Sequence, residues 1–379
     1  MSLSCDTGDL LPLDEALARL WEALPAPAFP ELRADRDDPA LDLATMDGAA
    51  LRAAEGSTPR RLTGTLFAGD DPTICPVVPG SAVRIMTGAA LPPGADAVVP
   101  VEQLTEEGGF LRPLVDPAPG DHIRRRGSQA LAGEVILPMG SPVTAVRTGL
   151  EAWVGQPYAA LRRIRVAVAS TGDELTADPR PHQIRDANGP MLAALAHGLG
   201  AEVERWPALP DDPLALATAL QNPKGIRILI TSGGVSMGAR DHLPAVLRDL
   251  GADVLFHRIR LRPGKPMLAA LLGDLLVLGL PGNPGSAYLN ARLFLPLALA
   301  RLAGRRRPDP WRRGRLAAAV SNAGIRPLLQ PCRREGDNLH PLPSKGSADL
   351  ITLAQADACA WIEPGGLAAS EETRWISIL

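Results

Sequence analysis

The sequence predicts a multidomain α/β plus β protein built around a doubly wound, largely parallel sheet. The chain has 379 residues, more than one hydrophobic core usually holds, so several domains are expected. Short apolar runs alternate with helical patterns from about residue 163 to residue 304, as in strand–helix–strand units. On both sides of this region, apolar runs broken by Pro and Gly indicate small β domains.

The first part of the chain combines one helix with a β-rich stretch. Leucines at helical spacing predict an amphipathic helix over residues 11–24. The β-rich stretch extends from about residue 39 to residue 122, with apolar runs at 62–68, 82–86 and 97–101. Residues 122–160 have a mixed pattern, which indicates a linking segment.

The central region alternates between the hydrophobic periodicity of strands and that of helices. Its predicted strands are 165–169, 202–206, 226–231, 254–259 and 275–280, and its predicted helices are 191–199, 213–220 and 242–250. In sheets wound in this way, ligands bind beyond the carboxyl ends of the strands. The arginine run at 305–307 precedes two prolines and marks a boundary. Beyond it, runs at 315–320 and 358–362 predict a second small β domain.

Loops of small residues are concentrated between residues 226 and 286. One follows a buried strand and continues into a predicted helix, with Asp241 as its cap and Pro244 in its first turn. Another has Asn283 as a cap and Pro284 at the first helical position. Backbone N–H groups at such helix starts attract anions, because the helix dipole favours negative charge there. The stretch therefore predicts a rim that binds phosphate or another oxyanion.

Composition excludes several classes of function. The net charge of −3 and the presence of only three lysines provide no general basic surface, which argues against nucleic acid as a partner. No apolar run approaches the roughly 20 residues that span a bilayer, so no membrane association is expected. Four scattered cysteines without a CxxC pair disfavour a zinc site or a disulfide framework. A reducing cytoplasm is the expected location.

Seven short motifs then occur in one order along the chain. They are Met46-Asp47-Gly48, Arg84-Ile85-Met86-Thr87-Gly88-Ala89, Gly94-Ala95-Asp96-Ala97-Val98-Val99, Ser170-Thr171-Gly172-Asp173-Glu174-Leu175, Ser232-Gly233-Gly234-Val235-Ser236-Met237-Gly238, Pro263-Gly264-Lys265-Pro266 and Gly279-Leu280-Pro281-Gly282-Asn283-Pro284. The set resembles the molybdopterin molybdenumtransferase family, which includes MoeA and the gephyrin E-domain. Each motif alone is a weak signal, but seven in order are specific.

The resemblance implies four domains and a homodimer. Residues 1–40 and 122–160 would form an elongated linking domain, and residues 41–121 an inserted β domain. Residues 161–304 would form the molybdopterin-binding α/β domain and residues 305–379 a C-terminal β domain. In the family, the active site lies between the α/β domain of one protomer and the inserted domain of the other.

The implied reaction inserts molybdate into adenylylated molybdopterin with the help of Mg²⁺ and releases AMP. The resemblance also makes the molybdopterin adenylyltransferase a candidate partner. The implied catalytic residues are Asp47, Thr87, Glu174 and Asp241. Candidate substrate-binding residues are Ser232, Gly233, Gly234, Ser236, Asp186, Arg262, Lys265, Pro281, Pro284, Ser286 and Ser347. Mg²⁺ prefers carboxylate oxygens beside phosphate, so its candidate ligands are Asp173, Glu174 and Asp241.

Several of these residues also have a purely structural interpretation. Asp241 and Asn283 are both placed to cap helices. Asp173 and Glu174 follow a strand end, where an acidic pair is usually solvated. The run 124–126 is equally well explained as a solvated charge cluster. Lys265 is harder to explain structurally, because a Pro-Gly-Lys-Pro turn holds a cation in place in a lysine-poor chain.

The chain also departs from the family pattern. The usual Ser and Tyr of the first motif are missing, and a carboxylate of a Gly-Glu-Asp motif is replaced. The positions concerned are Leu43, Ala44, Ala49, Gln129, Arg262 (usually Lys), Gly285 (usually Val) and Arg326, an uncertain substitute in a degraded arginine motif. A planar guanidinium does not replace a compact ammonium directly. A non-catalytic relative that binds molybdopterin or molybdate, as a scaffold or carrier, is therefore the alternative to an enzyme.

Overall fold

A computed structural model describes residues 10–157, 163–235 and 241–378 of the chain. The chain folds into two compact units. The larger unit comprises residues 1–27, 142–144 and 159–379, and the smaller unit comprises residues 28–141 and 145–158. The finer division into four domains stays a prediction. The predicted binding residue Ser236 lies outside the described ranges.

The described residues form the following α-helices: α1 (Leu13–Ala23), α2 (Ala145–Trp153), α3 (Asn188–Gly198), α4 (Pro213–Gln221), α5 (Leu243–Asp249), α6 (Pro284–Leu302) and α7 (Leu350–Ala354). In the parts that the structure describes, no helix has both the length and the apolar composition needed to cross a membrane.

The strands of the smaller unit are β1 (Leu32–Arg33), β2 (Leu43–Ala44), β3 (Gly48–Leu51), β4 (Arg60–Leu66), β5 (Ser81–Ile85), β6 (Ala97–Pro100), β7 (Leu104–Glu107), β8 (Phe110–Pro113), β9 (Ile123–Arg124) and β10 (Val135–Leu137). Six of them form a sheet in the order β6-β3-β5-β4-β8-β7, while β1 pairs with β10 and β2 with β9. The β-rich stretch that the Pro and Gly pattern predicted is therefore confirmed.

The arginine run of the smaller unit is a structural cluster. Arg124 lies 3.3 Å from Asp38, and Arg125 lies 2.7 Å from Asp42. Arg126 lies 2.7 Å from Asp37, so each guanidinium has a carboxylate partner from the same short segment. Hydrogen bonds from the backbone N–H of Arg126 and from the Arg125 guanidinium lower the pKa of Asp42. These ion pairs hold residues 37–42 against the strand that contains Arg124.

The strands of the larger unit are β11 (Arg165–Ser170), β12 (Glu202–Arg205), β13 (Ile228–Ser232), β14 (Asp253–His257), β15 (Leu268–Leu272), β16 (Leu275–Leu280), β17 (Arg312–Leu316), β18 (Leu328–Glu335), β19 (Asn338–Pro341), β20 (Ala358–Ile362) and β21 (Glu372–Ser377). The first six form one sheet in the order β12-β11-β13-β16-β15-β14, and the last five form a closed barrel.

The central sheet is doubly wound, as predicted. Alternate residues of β11 enter opposite hydrophobic clusters. Val166 and Val168 pack with residues of α1, α3 and α6, whereas Ala167 and Ala169 pack with residues of α4 and α5. Because side chains alternate across a strand, this division places helices on both faces of the sheet.

One edge of the sheet departs from the parallel arrangement of the other strands. The strand predicted at 254–259 is β14, which pairs antiparallel with β15, and β15 pairs antiparallel with β16. The sequence analysis missed β15 altogether. No helix separates these three strands: the loop 258–267 joins β14 to β15, and a turn at residues 273–274 joins β15 to β16. Strands joined without a helical crossover commonly run antiparallel, whereas parallel neighbours need a long crossover.

Candidate functional site

Three parallel strands end side by side at one edge of the sheet. The last residue of β11, Ser170, lies opposite Ser232 of β13, and Ser232 lies opposite Leu280 of β16. The loops that begin at Thr171, Gly233 and Pro281 therefore start at the same level. This edge collects most of the predicted site residues of the larger unit, as expected for the carboxyl ends of parallel strands.

Asn188 joins these loops. It is the first residue of α3, and its Nδ2 group donates hydrogen bonds to Ser232 Oγ at 2.6 Å and to the carbonyl oxygen of Gly282 at 2.7 Å. Ser232 Oγ in turn donates to the carbonyl oxygen of Pro281 at 3.3 Å. The hydroxyl of Ser232 is thus used inside the protein, so this predicted binding residue shapes the loops rather than offering a free hydroxyl.

Asp186 is also largely engaged with the protein itself. Its Oδ1 accepts hydrogen bonds from Ser170 Oγ at 2.7 Å and from the backbone N–H of Gly189 at 2.8 Å. Its Oδ2 lies 3.2 Å from Arg205. Asp186 therefore fixes the start of α3 against the end of β11, and this positions Asn188.

An acidic cavity of about 600 Å³ opens at this strand edge. Its acidic lining residues are Glu174, Asp186, Asp211 and Asp241. Glu174 bends back over its own loop, because a Cβ on Gly172 would lie 2.6 Å from the Glu174 carboxylate. Asp173 is exposed, and its Oδ1 accepts a long hydrogen bond of 3.3 Å from the backbone N–H of Asp211.

The acidic cavity suits Mg²⁺ only together with a phosphate-bearing ligand. Among the described residues, no group of three or more His, Cys, Asp and Glu side chains converges as a metal cage. Mg²⁺ in proteins is commonly held by one or two carboxylates, with waters and substrate phosphates as its other ligands. Glu174 and Asp241 both line the cavity and fit that pattern.

A second, basic cavity of about 480 Å³ adjoins the first. Its basic lining residues are Arg262, Lys265 and Arg326. Burial, and then the neighbouring charge of Arg262, lowers the pKa of Arg326, but a guanidinium remains protonated in proteins. The two cavities share Pro266, Pro281 and Asn283 as walls. One end of the combined site is therefore mainly acidic, with Arg185 also in its lining, and the other is mainly basic, with Asp349 also in its lining.

The segment 344–349 forms another wall of the basic cavity. Asn283 Nδ2 donates to Ser347 Oγ at 2.8 Å, and the backbone N–H of Ser286 donates to the carbonyl oxygen of Ser347 at 3.0 Å. Hydrogen bonds from the backbone N–H of Lys345 and from Thr352 lower the pKa of Asp349 to about 2. The carboxylate of Asp349 is thus occupied by hydrogen bonds from its own segment and is not offered to a ligand.

Two backbone donors of the predicted anion rim are used inside the protein. The backbone N–H of Gly233 donates to the carbonyl oxygen of Leu280 at 3.0 Å, and that of Ser286 donates to Ser347. These donors are used because neighbouring strands and the segment 344–349 supply acceptors.

The prediction that Asp241 caps a helix was wrong, because α5 begins at Leu243 with His242 at the N-cap position. Asn283 occupies the N-cap position of α6 but makes no side-chain cap hydrogen bond.

The remaining predicted catalytic residues lie in the smaller unit and contact each other. Thr87 donates to Asp47 Oδ1 from its backbone N–H and from its hydroxyl, each at 2.7 Å. These bonds lower the pKa of Asp47 and keep the carboxylate ionised. Both residues are exposed. Exposed apolar side chains lie nearby: Met46, 39% exposed, precedes Asp47, and the backbone N–H of Val101, whose residue is 48% exposed, donates to the carbonyl oxygen of Asp47.

The replaced family positions of the smaller unit serve its packing. Ala44 and Ala49 are buried in the sheet, and Leu43 of β2 pairs with Arg124 of β9. The Oε1 atom of Gln129 accepts a hydrogen bond from Arg124, whose guanidinium also reaches Asp38. Gln129 therefore belongs to the arginine cluster and offers no carboxylate to a site.

Sequence analysis missed some residues that build the site. Asn188 could have been suspected from the sequence only weakly, because its amide stands at the start of a helical pattern. Asp349 gave a similarly weak indication. His257 gave none, yet its Nε2 lies 2.8 Å from the carbonyl oxygen of Val235, directly after the two loop glycines. Burial lowers the pKa of His257, so the ring is neutral at pH 7 and its Nε2–H donates this bond.

Comparison with known proteins gives a consistent result. A family profile described as "Probable molybdopterin binding domain" matches residues 167–300. A second profile, "MoeA N-terminal region (domain I and II)", matches residues 11–155. Together they match parts of both units, and the barrel strands β17–β21 lie beyond the matched residues.

Individual relatives are similar over most of their length. The chain is 33% identical to the molybdopterin molybdenumtransferase of Bacillus subtilis, over 97% of this chain and 94% of that protein. It is 37% identical to the protein of the same name from Synechococcus elongatus, over 71% of each chain. The structure matches that of a molybdopterin biosynthesis MoeA protein from Pyrococcus horikoshii with a TM-score of 0.73, at 26% identity, covering 98% of this chain and 100% of that one.

Proposed function

This chain belongs to the molybdopterin molybdenumtransferase family, and we propose that it acts in molybdenum cofactor biosynthesis by inserting molybdate into adenylylated molybdopterin, with release of AMP. The observation that carries this proposal is the pair of adjoining cavities of opposite charge, which share Pro266, Pro281 and Asn283. The reaction needs a phosphate-bearing ligand and a small dianion held side by side. A carboxylate-lined cavity beside a cation-lined one meets both demands.

Molybdate is assigned to the basic cavity. A tetrahedral dianion is best held by charged donors, whose hydrogen bonds are about twice as strong as neutral ones. Lys265 offers a compact ammonium, and Arg262 and Arg326 offer planar forks. The side chains of Ser286 and Ser347 line the same space and can add hydroxyl donors. These residues hold the oxyanion and orient it toward the shared wall.

Adenylylated molybdopterin is assigned to the acidic cavity. Glu174 and Asp241 would hold Mg²⁺, which supplies positive charge to the phosphates when it is bound. Asn188 and Asp186 keep the loops around this ligand in place through their internal hydrogen bonds. The walls at Pro281 and Pro284 adjoin the molybdate position, so both substrates would meet there.

The working unit is proposed to be a homodimer. Asp47 and Thr87 form an exposed polar pair beside the exposed apolar residues Met46 and Val101, and exposed apolar patches rimmed by polar groups commonly mark interfaces. A second copy of the chain is the proposed occupant, since a two-fold pair would use the same surface twice. The molybdopterin adenylyltransferase, which would supply the substrate, is a further candidate partner.

One observation favours a non-catalytic, molybdopterin- or molybdate-binding relative as the second candidate. Gln129 stands where the family usually has a carboxylate, and its side chain is engaged with Arg124. Complementation of a strain that lacks its own transferase separates the two functions. Restored molybdoenzyme activity supports the enzyme. A well-expressed protein that binds molybdopterin but does not complement would instead support the carrier.

A further inference from the structure

Asn290 is a buried polar residue beside the basic cavity. It lies on α6 four residues after Ser286, and its side chain is 0% exposed. Residues four apart share one face of a helix, so Asn290 and Ser286 project from the same side of α6. Ser286 lines the basic cavity, and Asn290 lies one helical turn further along.

The Asn290 amide rests directly on the turn that contains Lys265. Its Nδ2 group donates a hydrogen bond of 3.0 Å to the carbonyl oxygen of Gly264. A Cβ on Gly264 would lie 2.6 Å from Asn290 Oδ1, so even an alanine at residue 264 would displace the amide. Gly264 also has φ of +114°, a conformation that other residues rarely adopt. The neighbour of Lys265 is therefore held against α6 by close contact and by a hydrogen bond.

This arrangement weakens the core locally. Asn290 Oδ1 is buried and has no hydrogen-bond partner among the residues that the structure describes. Burying an unsatisfied acceptor disfavours the folded state, whereas an apolar side chain of similar volume would not. Local rules of folding are most often broken at functional sites. The contact between Asn290 and Gly264 therefore points to function.

We propose that Asn290 is a positioning residue that sets the distance between Lys265 and Ser286 across the basic cavity. The inference rests on the molybdate site proposed above. Other hydrogen bonds hold the turn to its own neighbours, since Ile259 and Met267 both donate to the carbonyl oxygen of Lys265. The bond from Asn290 connects the turn to α6, and hence to the opposite wall.

Asn290→Leu tests this role in a double-mutant cycle with Lys265→Ala, with molybdate alone as the ligand in calorimetry. We expect Asn290→Leu to weaken molybdate binding about fivefold in the wild-type background and to cause no further loss beside Lys265→Ala, because residues that act as one unit are not additive. The melting temperature should change little, because Leu removes the unpaired Oδ1 but also leaves the carbonyl oxygen of the buried Gly264 without its donor. Unchanged affinity, or losses that multiply, would overturn the proposal.

A ligand-independent measurement keeps the result interpretable. Hydrogen exchange of the segment 259–268 should accelerate in Asn290→Leu while α6 stays protected. If the wild-type protein bound no molybdate, the proposed function would fail, and the exchange result would still decide the role of Asn290.

One control variant and one second test variant complete the experiment. Leu293→Ala removes a buried side chain of α6 that is not part of the basic cavity; it should lower stability and leave molybdate affinity unchanged. Asn290→Thr removes the amide by a different change and should reproduce the loss of affinity. Loss of folding in both Asn290 variants, shown by circular dichroism, would make the residue structural and end the proposal.

Discussion

The backbone N–H of Ser286 donates a hydrogen bond to the carbonyl oxygen of Ser347 across 3.0 Å. This bond seats the segment 344–349 on the first turn of α6. Gly285 makes the approach possible, because a Cβ there would lie 2.8 Å from the same carbonyl oxygen. One wall of the basic cavity therefore depends on the absence of a side chain at residue 285, where the family usually has Val.

Gly285→Val should destabilise this protein although it restores the usual family residue. The new side chain would meet Ser347 O and, at 3.3 Å, Leu353 Cδ1. Overpacking typically costs about 1–3 kcal/mol of unfolding free energy, and molybdate binding should weaken as the wall moves. Urea unfolding and calorimetry measure the two effects. In the control Gly198→Ala, a Cβ meets nothing within 4 Å, so no loss is expected. Wild-type stability of Gly285→Val would contradict the prediction.

Lys265→Ala should reduce molybdate affinity about tenfold to a hundredfold, since a hydrogen bond to a charged group contributes about 1.5–3 kcal/mol. Fold stability should hardly change, because Lys265 is exposed. Lys224→Gly is the matched control: it removes another of the three lysines, at a residue whose φ of +47° suits glycine and which does not line the basic cavity. Equal affinities of Lys265→Ala and wild type would remove Lys265 from the site.

Stability should fall on mild acidification because of His257. Burial lowers its pKa, against the opposing effect of its hydrogen bond to Val235; Arg258 and Arg248 lower the pKa further and Asp241 raises it. The unfolded state therefore binds the proton more readily than the folded state. The stability associated with the neutral His257 ring is fully present above the ordinary pKa of about 6.5 and is lost as pH falls through the pKa of the folded state. The free energy of unfolding of His257→Gln, measured in urea, should decrease less than that of the wild type between about pH 7.5 and about pH 5.5. This range brackets the ordinary pKa of about 6.5. An identical decrease in both proteins would exclude His257 as its source.

Asp47→Ala and Glu174→Ala should each abolish transferase activity, and a mixture of the two should recover part of it. In the proposed homodimer, one site of a mixed dimer would carry both defects and the other would carry neither. The measurement is activity after subunit exchange, with exchange verified by tagged subunits. A monomer at micromolar concentration, or no recovery after verified exchange, would defeat the shared-site arrangement.

Much of the fold was accessible from local sequence patterns. Alternating apolar runs and turn residues predicted β16 and β20 with their observed bounds, and Pro284 correctly marked the start of α6. Such patterns depend on side-chain periodicity and turn chemistry within a few residues of each other. The order of the seven motifs then predicted the family, which the relatives from Bacillus subtilis and Synechococcus elongatus confirm.

The sequence by itself determined the α/β and β segments, the loop-rich edge and the family. Only the tertiary structure decided that β14 and β15 run antiparallel, that the N–H groups of Gly233 and Ser286 already have acceptors, and that Arg326 joins Lys265 in one cavity. The physical reason is the range of the interactions. Helix and strand patterns arise from near neighbours, whereas a hydrogen bond such as that from Asn283 to Ser347 joins residues 64 positions apart. Partners at that separation are chosen by the packing of the whole unit.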